Sequence, residues 1–115
     1  MIKIRRAYDP PRKEDGLRIL VDRLWPRGLK KKEARIDEWL KELAPSDELR
    51  RWFSHDTEKW LEFRKRYFKE LKDHERLIET ILEKVKDQSV VLVYAAKEET
   101  CNNAVALKEY LEERA

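Results

Sequence analysis

The run Val90-Val91-Leu92-Val93-Tyr94-Ala95 constrains this chain more than any other stretch, because it is unbroken and β-branched in a sequence that is 44% charged. Such a run marks a strand covered on both faces, as in a parallel sheet. With 115 residues there is enough chain for one core and too little for two. The expected fold is therefore a single α/β domain over 1–115, a small, mostly parallel sheet of about three strands with helices packed around it.

The other strands read from their alternation. Residues 17–24 place Leu17, Ile19 and Val21 on one face and Leu20 on the other, so this strand also needs cover on both sides. It is expected to lie beside the strand over 89–96, parallel to it and interior. Residues 1–8 alternate Ile2 and Ile4 with Lys3 and Arg5, the pattern of a half-exposed strand. After the second strand comes Trp25-Pro26-Arg27-Gly28, where Pro26 fixes its own φ and holds Trp25 extended. Pro26 second and Gly28 fourth is a favoured arrangement for a type I turn.

Between the strands the apolar spacing changes to the helical period. Ile36, Trp39, Leu40 and Leu43 predict a helix over 30–43. Pro45 stops it, and Ser46 caps a short helix that buries Leu49, Trp52 and Phe53. The chain breaks at Ser54-His55-Asp56, with Asp56 capping a helix over 57–72 that carries Trp60, Phe63, Tyr67 and Leu71. A second stripe, Leu77, Ile78, Ile81, Leu82 and Val85, predicts a following helix, with a break near a capping Asp73. Residues 97–103 form a polar connection, and Ala104, Leu107, Tyr110 and Leu111 mark a last helix.

Charge and cysteine content bound the function. The net charge is +3, but residues 1–35 carry 12 bases and 5 acids whereas residues 36–115 carry 15 and 19. The basic excess favours an anionic partner in the first third. Mean hydropathy is −0.89, yet four tryptophans, four tyrosines and three phenylalanines supply a core. Abundant Lys, Arg and Glu with few thermolabile residues is a thermophilic composition. A lone cysteine excludes an internal disulfide and fits a reducing, cytoplasmic setting. The chain starts in a charged strand rather than a leader, and no apolar run nears the ~20 residues needed to cross a bilayer. Two separated histidines and one cysteine make no metal set, two glycines make no phosphate loop, and no cofactor is expected.

Several motifs in this order resemble one family. They are Val21-Asp22-Arg23-Leu24-Trp25-Pro26-Arg27-Gly28, Trp39-x-Lys41-x-x-Ala44-Pro45-Ser46, and Leu49-Arg50-x-Trp52-Phe53-x-His55. Trp60-x-x-Phe63-x-x-Arg66-Tyr67 follows, then Tyr94-x-Ala96-Lys97 with Asn102 and Ala104. Together they resemble the YeaO-like family, a domain of unknown function numbered 488, over nearly the whole chain. The resemblance implies a compact α/β domain and brings no established activity. Longer relatives carry Cys-His-Arg after the last strand, where this chain has Cys101-Asn102-Asn103, so no thiol chemistry is carried over.

The residues themselves point to an anion site. Arg23, Arg27 and Lys97 leave the two best strands at their carboxyl ends and converge if those strands are parallel neighbours. The start of the last helix adds free backbone N–H groups there. The structural alternative is that Arg23 pairs with Asp22 or Glu33. Asn102 and Asn103, the chain's two asparagines, cap that helix or bind a ligand. Trp25 sits in the turn, where it can stack on a ligand ring, whereas Trp39, Trp52 and Trp60 have core spacing. His55, oriented by Asp56, is the candidate acid or base; the structural alternative is a histidine bonded to loop backbone. His74 is on a charged helix surface.

Three function classes follow. The first is binding of a small anionic ligand, bearing phosphate or carboxylate, with hydrolase- or transferase-type chemistry as an extension. The second is a nucleic-acid-binding module using the basic first third and Trp25, recognisable by a continuous basic stripe joining 3–6, 30–35 and 64–69. The third is a non-catalytic partner-binding protein, recognisable by exposed Trp and Tyr patches on a flat face.

Overall fold

The computed structural model describes residues 1–115. Four strands, β1 (Ile2–Arg6), β2 (Leu17–Leu20), β3 (Glu38–Trp39) and β4 (Val90–Tyr94), form one sheet in the order β1-β4-β2-β3, and every pairing is parallel. The interior pair is the expected one: Ile19 lies opposite Leu92 and Leu20 opposite Val93. Five helices accompany it, α1 (Lys31–Ala34), α2 (Asp47–Phe53), α3 (Trp60–Leu71), α4 (Glu75–Asp87) and α5 (Asn103–Arg114). None is long and apolar enough to cross a membrane.

β4 explains the two-sided cover. Val90, Leu92 and Tyr94 join the main core with Ile19 and Val21, under Phe63, Tyr67, Ile78, Leu107 and Leu111 of the long helices. Val91 and Val93 point the other way, to a small cluster with Ala7 and Leu20 that Trp25, Leu29, Ile36 and Trp39 cover. One face thus carries the helical layer, and the other is roofed mainly by the segment between β2 and α2.

That roof overturns the helix expected over 30–43. The α-helix stops after Ala34, where Arg35 takes φ 49°, Glu38–Trp39 pairs with β2 as an edge strand, and only a 3-10 turn over Lys41–Leu43 follows. The four apolar residues do not share a face. Ile36 and Trp39 lie under the second face of the sheet, while Leu40 and Leu43 pack against the first. The segment wraps the sheet edge, and Trp39 Nε1 donates to the Asp22 carbonyl at 2.7 Å to hold it there.

β2 also ends earlier than expected. Val21 N still donates to the Val93 carbonyl, but Ala95 N donates to the Asp22 carboxylate at 2.9 Å instead of to a neighbouring backbone. A side chain therefore closes the ladder at Asp22, well before Pro26. The turn is shifted by one residue as well: Leu29 N donates to the Pro26 carbonyl and Gly28 is third, with φ 79°. A positive φ at the third position is the mark of a type II turn, not type I.

The remaining boundaries follow local chemistry. Leu49 N donates to Ser46 Oγ at 3.1 Å and Glu58 N to Asp56 Oδ1 at 3.0 Å, so both expected caps are present. The break between α3 and α4 is a 3-10 turn over Lys72–His74, but Asp73 caps nothing there.

Candidate functional site

A cleft of about 700 Å³ opens at the carboxyl ends of β2 and β4. This is the switch point of the sheet: the chain leaves β2 towards β3 and leaves β4 for α5, which packs on β1 and β4. In open parallel sheets such a divergence leaves a crevice. Leu24, Pro26, Pro45, Phe53 and Phe63 give it apolar walls.

Arg23, Trp25, Arg27, His55, Asn102 and Asn103 all line this cleft. Lys97 does not. It is exposed on the loop after β4, and Arg50 from α2 lines the cleft instead. Arg23 pairs with neither Asp22 nor Glu33. Its Nη2 donates to the Pro45 carbonyl at 3.4 Å, and its Nε lies 3.7 Å from Asp47 Oδ1. Arg50 reaches the same Asp47 oxygen at 3.5 Å, so one exposed acid sits between two cleft guanidiniums. The Arg23 side chain is 37% exposed against 54% for Arg50, which makes it the more desolvated of the two.

The two asparagines divide the work. Asn102 is buried and is the α5 cap: its Oδ1 accepts from Val105 N at 3.0 Å and its Nδ2 donates to the Glu98 carbonyl. Asn103 reaches across the cleft floor, donating from Nδ2 to the Val21 carbonyl at 3.1 Å and to Asp22 Oδ1 at 3.0 Å.

Asp22 is the cleft residue that sequence reasoning considered only as an ion partner. Burial pushes its carboxyl above the ordinary range, although the Asn103 amide and the Ala95 N–H pull it down. It has no cation within ion-pair distance. Beneath it the buried Tyr67 hydroxyl donates to the Leu43 carbonyl. Burial, with the charges of Asp22 and Glu70, raises that phenol and keeps it a donor. The signal for Asp22 was an acid at the exit of an interior strand, where water is scarce.

His55 and Trp25 depart from their expected surroundings. His55 is exposed with φ 58°, and Asp56 spends its Oδ1 on the Glu58 N–H cap rather than on the imidazole. Trp25 is packed as well as cleft-facing: Nε1 donates to the Leu29 carbonyl at 2.6 Å, and its ring meets Trp39 edge-on with centroids 5.6 Å apart. Cys101 is half-buried, with Thr100 Oγ1 at 3.8 Å from its sulfur.

The fold and cleft belong to a chain with uncharacterised relatives. The uncharacterized protein YeaO of Escherichia coli K12 is 44% identical over 110 residues, 96% of each chain. The uncharacterized protein Rv3073c of Mycobacterium tuberculosis is 40% identical over 114 residues, 98% of this chain and 95% of its own. No solved structure matches. A family model described as the inactive DUF488-N3 subclade matches residues 1–115, and the chain belongs to that family.

Proposed function

We propose that the cleft binds a small molecule carrying a phosphate or carboxylate and does not transform it. The observation that carries this reading is the convergence of Arg23, Arg27 and Arg50 on one concave, apolar-walled space at the sheet's switch point. Guanidiniums present forked donors that match such anions, and the first turn of α5 adds partial positive charge beside them. The cleft volume suits a ligand of nucleotide size, with an apolar or aromatic body against Phe53 and Phe63. Asp22, at the cleft floor, takes a hydroxyl or amino donor of the ligand. Binding without turnover agrees with the subclade's description as inactive and with Asp56 being occupied as a helix cap.

The other two classes have weaker support. The basic stretches at 30–35 and 64–69 lie on opposite faces of the sheet, and Arg64 and Arg66 are paired with Glu109 and Glu62. All four tryptophans are half-buried and Tyr8 is the one exposed tyrosine, which gives an aromatic docking patch little support.

Calorimetric titration of inorganic phosphate and nucleoside monophosphates tests the reading. A charge-assisted hydrogen bond contributes about 1.5–3 kcal/mol. Arg23→Ala should therefore weaken anion affinity roughly ten- to a hundred-fold while the protein stays folded. No binding below millimolar concentration, or an Arg23→Ala variant that unfolds, makes the arginine structural and the reading wrong.

A further inference from the structure

The opposite end of β2 carries a second, unlike concavity. A groove of about 400 Å³ is lined by Arg12, Lys13, Arg18, Lys31, Lys32 and Arg35, with Asp37 as its one acid and Ile36 as its one apolar side chain. The basic excess of the first third is gathered here more than in the cleft. Arg12, Lys13, Lys31, Lys32 and Arg35 form no ion pair, although the chain has 24 acids.

The acids nearest the groove are already engaged. Asp15 accepts from Arg18 Nη1 at 2.6 Å, from Arg5 Nε at 3.3 Å and from Arg12 N at 3.0 Å. Asp37 Oδ2 accepts from Arg18 N at 2.8 Å. Arg18 is 3% exposed, and its Nε donates to the Ala34 carbonyl, yet its Nη2 is buried with no acceptor at all. A buried guanidinium nitrogen without an acceptor is costly, and such groups are rare unless something else satisfies them. Arg18 is also one of the residues that line the groove, so an anion seated there lies beside this under-satisfied guanidinium.

We propose that this groove is a second anion site, which takes closely spaced phosphate groups. Five unpaired cations around so small a space outnumber the charge of any single carboxylate, and the near absence of apolar lining means that the recognised part is charge alone. A linear polyphosphate and the phosphodiester backbone of a nucleic acid share this chemistry. The proposal does not rest on the cleft, which lies at the other end of the strand.

The test is titration of the full chain with inorganic triphosphate and with a short oligothymidylate over a salt series. It compares wild type with the double variant Lys31→Ala, Lys32→Ala, whose positions are exposed and outside the core. The double variant should melt as wild type does and bind its preferred probe at least tenfold more weakly. Preference for triphosphate assigns the groove to small polyphosphates. Preference for the oligonucleotide, with a salt slope reduced by about two in the double variant, assigns it to a nucleic-acid backbone. If neither probe binds below millimolar concentration, or the double variant binds as wild type does, the groove is not an anion site.

Discussion

Asp15, just before β2, is 1% exposed and is held by Arg5, Arg12 and Arg18, whereas Asp22, just after the strand, is held only by the neutral donors of Ala95 and Asn103. Burial alone would raise both carboxyls. At Asp15 the Arg12 N–H and the two guanidiniums outweigh burial, and the group titrates below its ordinary range. At Asp22 burial wins and the group titrates above it. Before the strand, the buried acid is matched by cations of the protein itself. At the carboxyl end the buried acid lacks a cation while Arg23 and Arg50 share one exposed acid beside an open cleft. One buried acid is fastened by guanidiniums, and the other is held by neutral donors at the floor of an open cleft.

The largest effect should come from unfastening the amino end. Asp15→Ala strands Arg18 as an unpaired buried charge, which costs about 3–5 kcal/mol. Asp22→Asn removes a carboxylate that burial already penalises and keeps an acceptor for Ala95, while Asn103 loses Oδ1 but retains the Val21 carbonyl, so it should change stability by about 1 kcal/mol. Urea unfolding at pH 7 measures both, and equal losses would break the comparison.

Ligand contacts come next. Arg23→Ala should lower anion affinity more than Arg50→Ala, because the Arg23 guanidinium is the more desolvated. Lys97→Ala should leave it unchanged, since Lys97 lies outside the cleft. A large Lys97 effect in the same calorimetric series would restore the convergence that the sequence implied.

The two acids also predict opposite responses to pH. The lowered Asp15 contributes stability that is present above its unfolded value near 3.8 and is lost as pH falls through its folded value. The raised Asp22 works in the other sense: between 3.8 and its folded value the native state binds more protons, so acidification there adds stability. Urea midpoints followed from pH 7 downwards should lose the low-pH decline in Asp15→Asn and lose the opposing rise in Asp22→Asn. The effect at the cap is also small: Asn102→Ala should cost about 1 kcal/mol in the same assay.

The interior of the sheet was legible because Leu17–Leu20 and Val90–Tyr94 are apolar on both faces, which few environments besides the middle of a parallel sheet can satisfy. Ser46 and Asp56 were legible because capping is local. β3 was not, because spacing records which residues are apolar and not which side of a sheet each will reach. Ile36, Trp39, Leu40 and Leu43 fit a helical stripe and are in fact split across the sheet edge. At the site, Arg23, Arg27 and Asn103 could be placed from the strand ends they follow. Arg50 could not, since it comes from a helix face that reads as solvent. Arg18 carries a readable signal: a charge inside a strand covered on both faces must be paired, and Asp15 stands three residues away.

The claim that an anion seats at the carboxyl end of β2 is tested most directly by amide and indole shifts during a phosphate or nucleotide titration of labelled protein. Binding in the cleft should move the amides of Ala95, Ala96 and Asn103 and the Trp25 indole N–H together, saturating at one affinity that Arg23→Ala abolishes or weakens at least tenfold. Saturable shifts confined to the other end of the strand, around Gly16 and Lys32, with the Ala95–Asn103 amides unmoved, would contradict it.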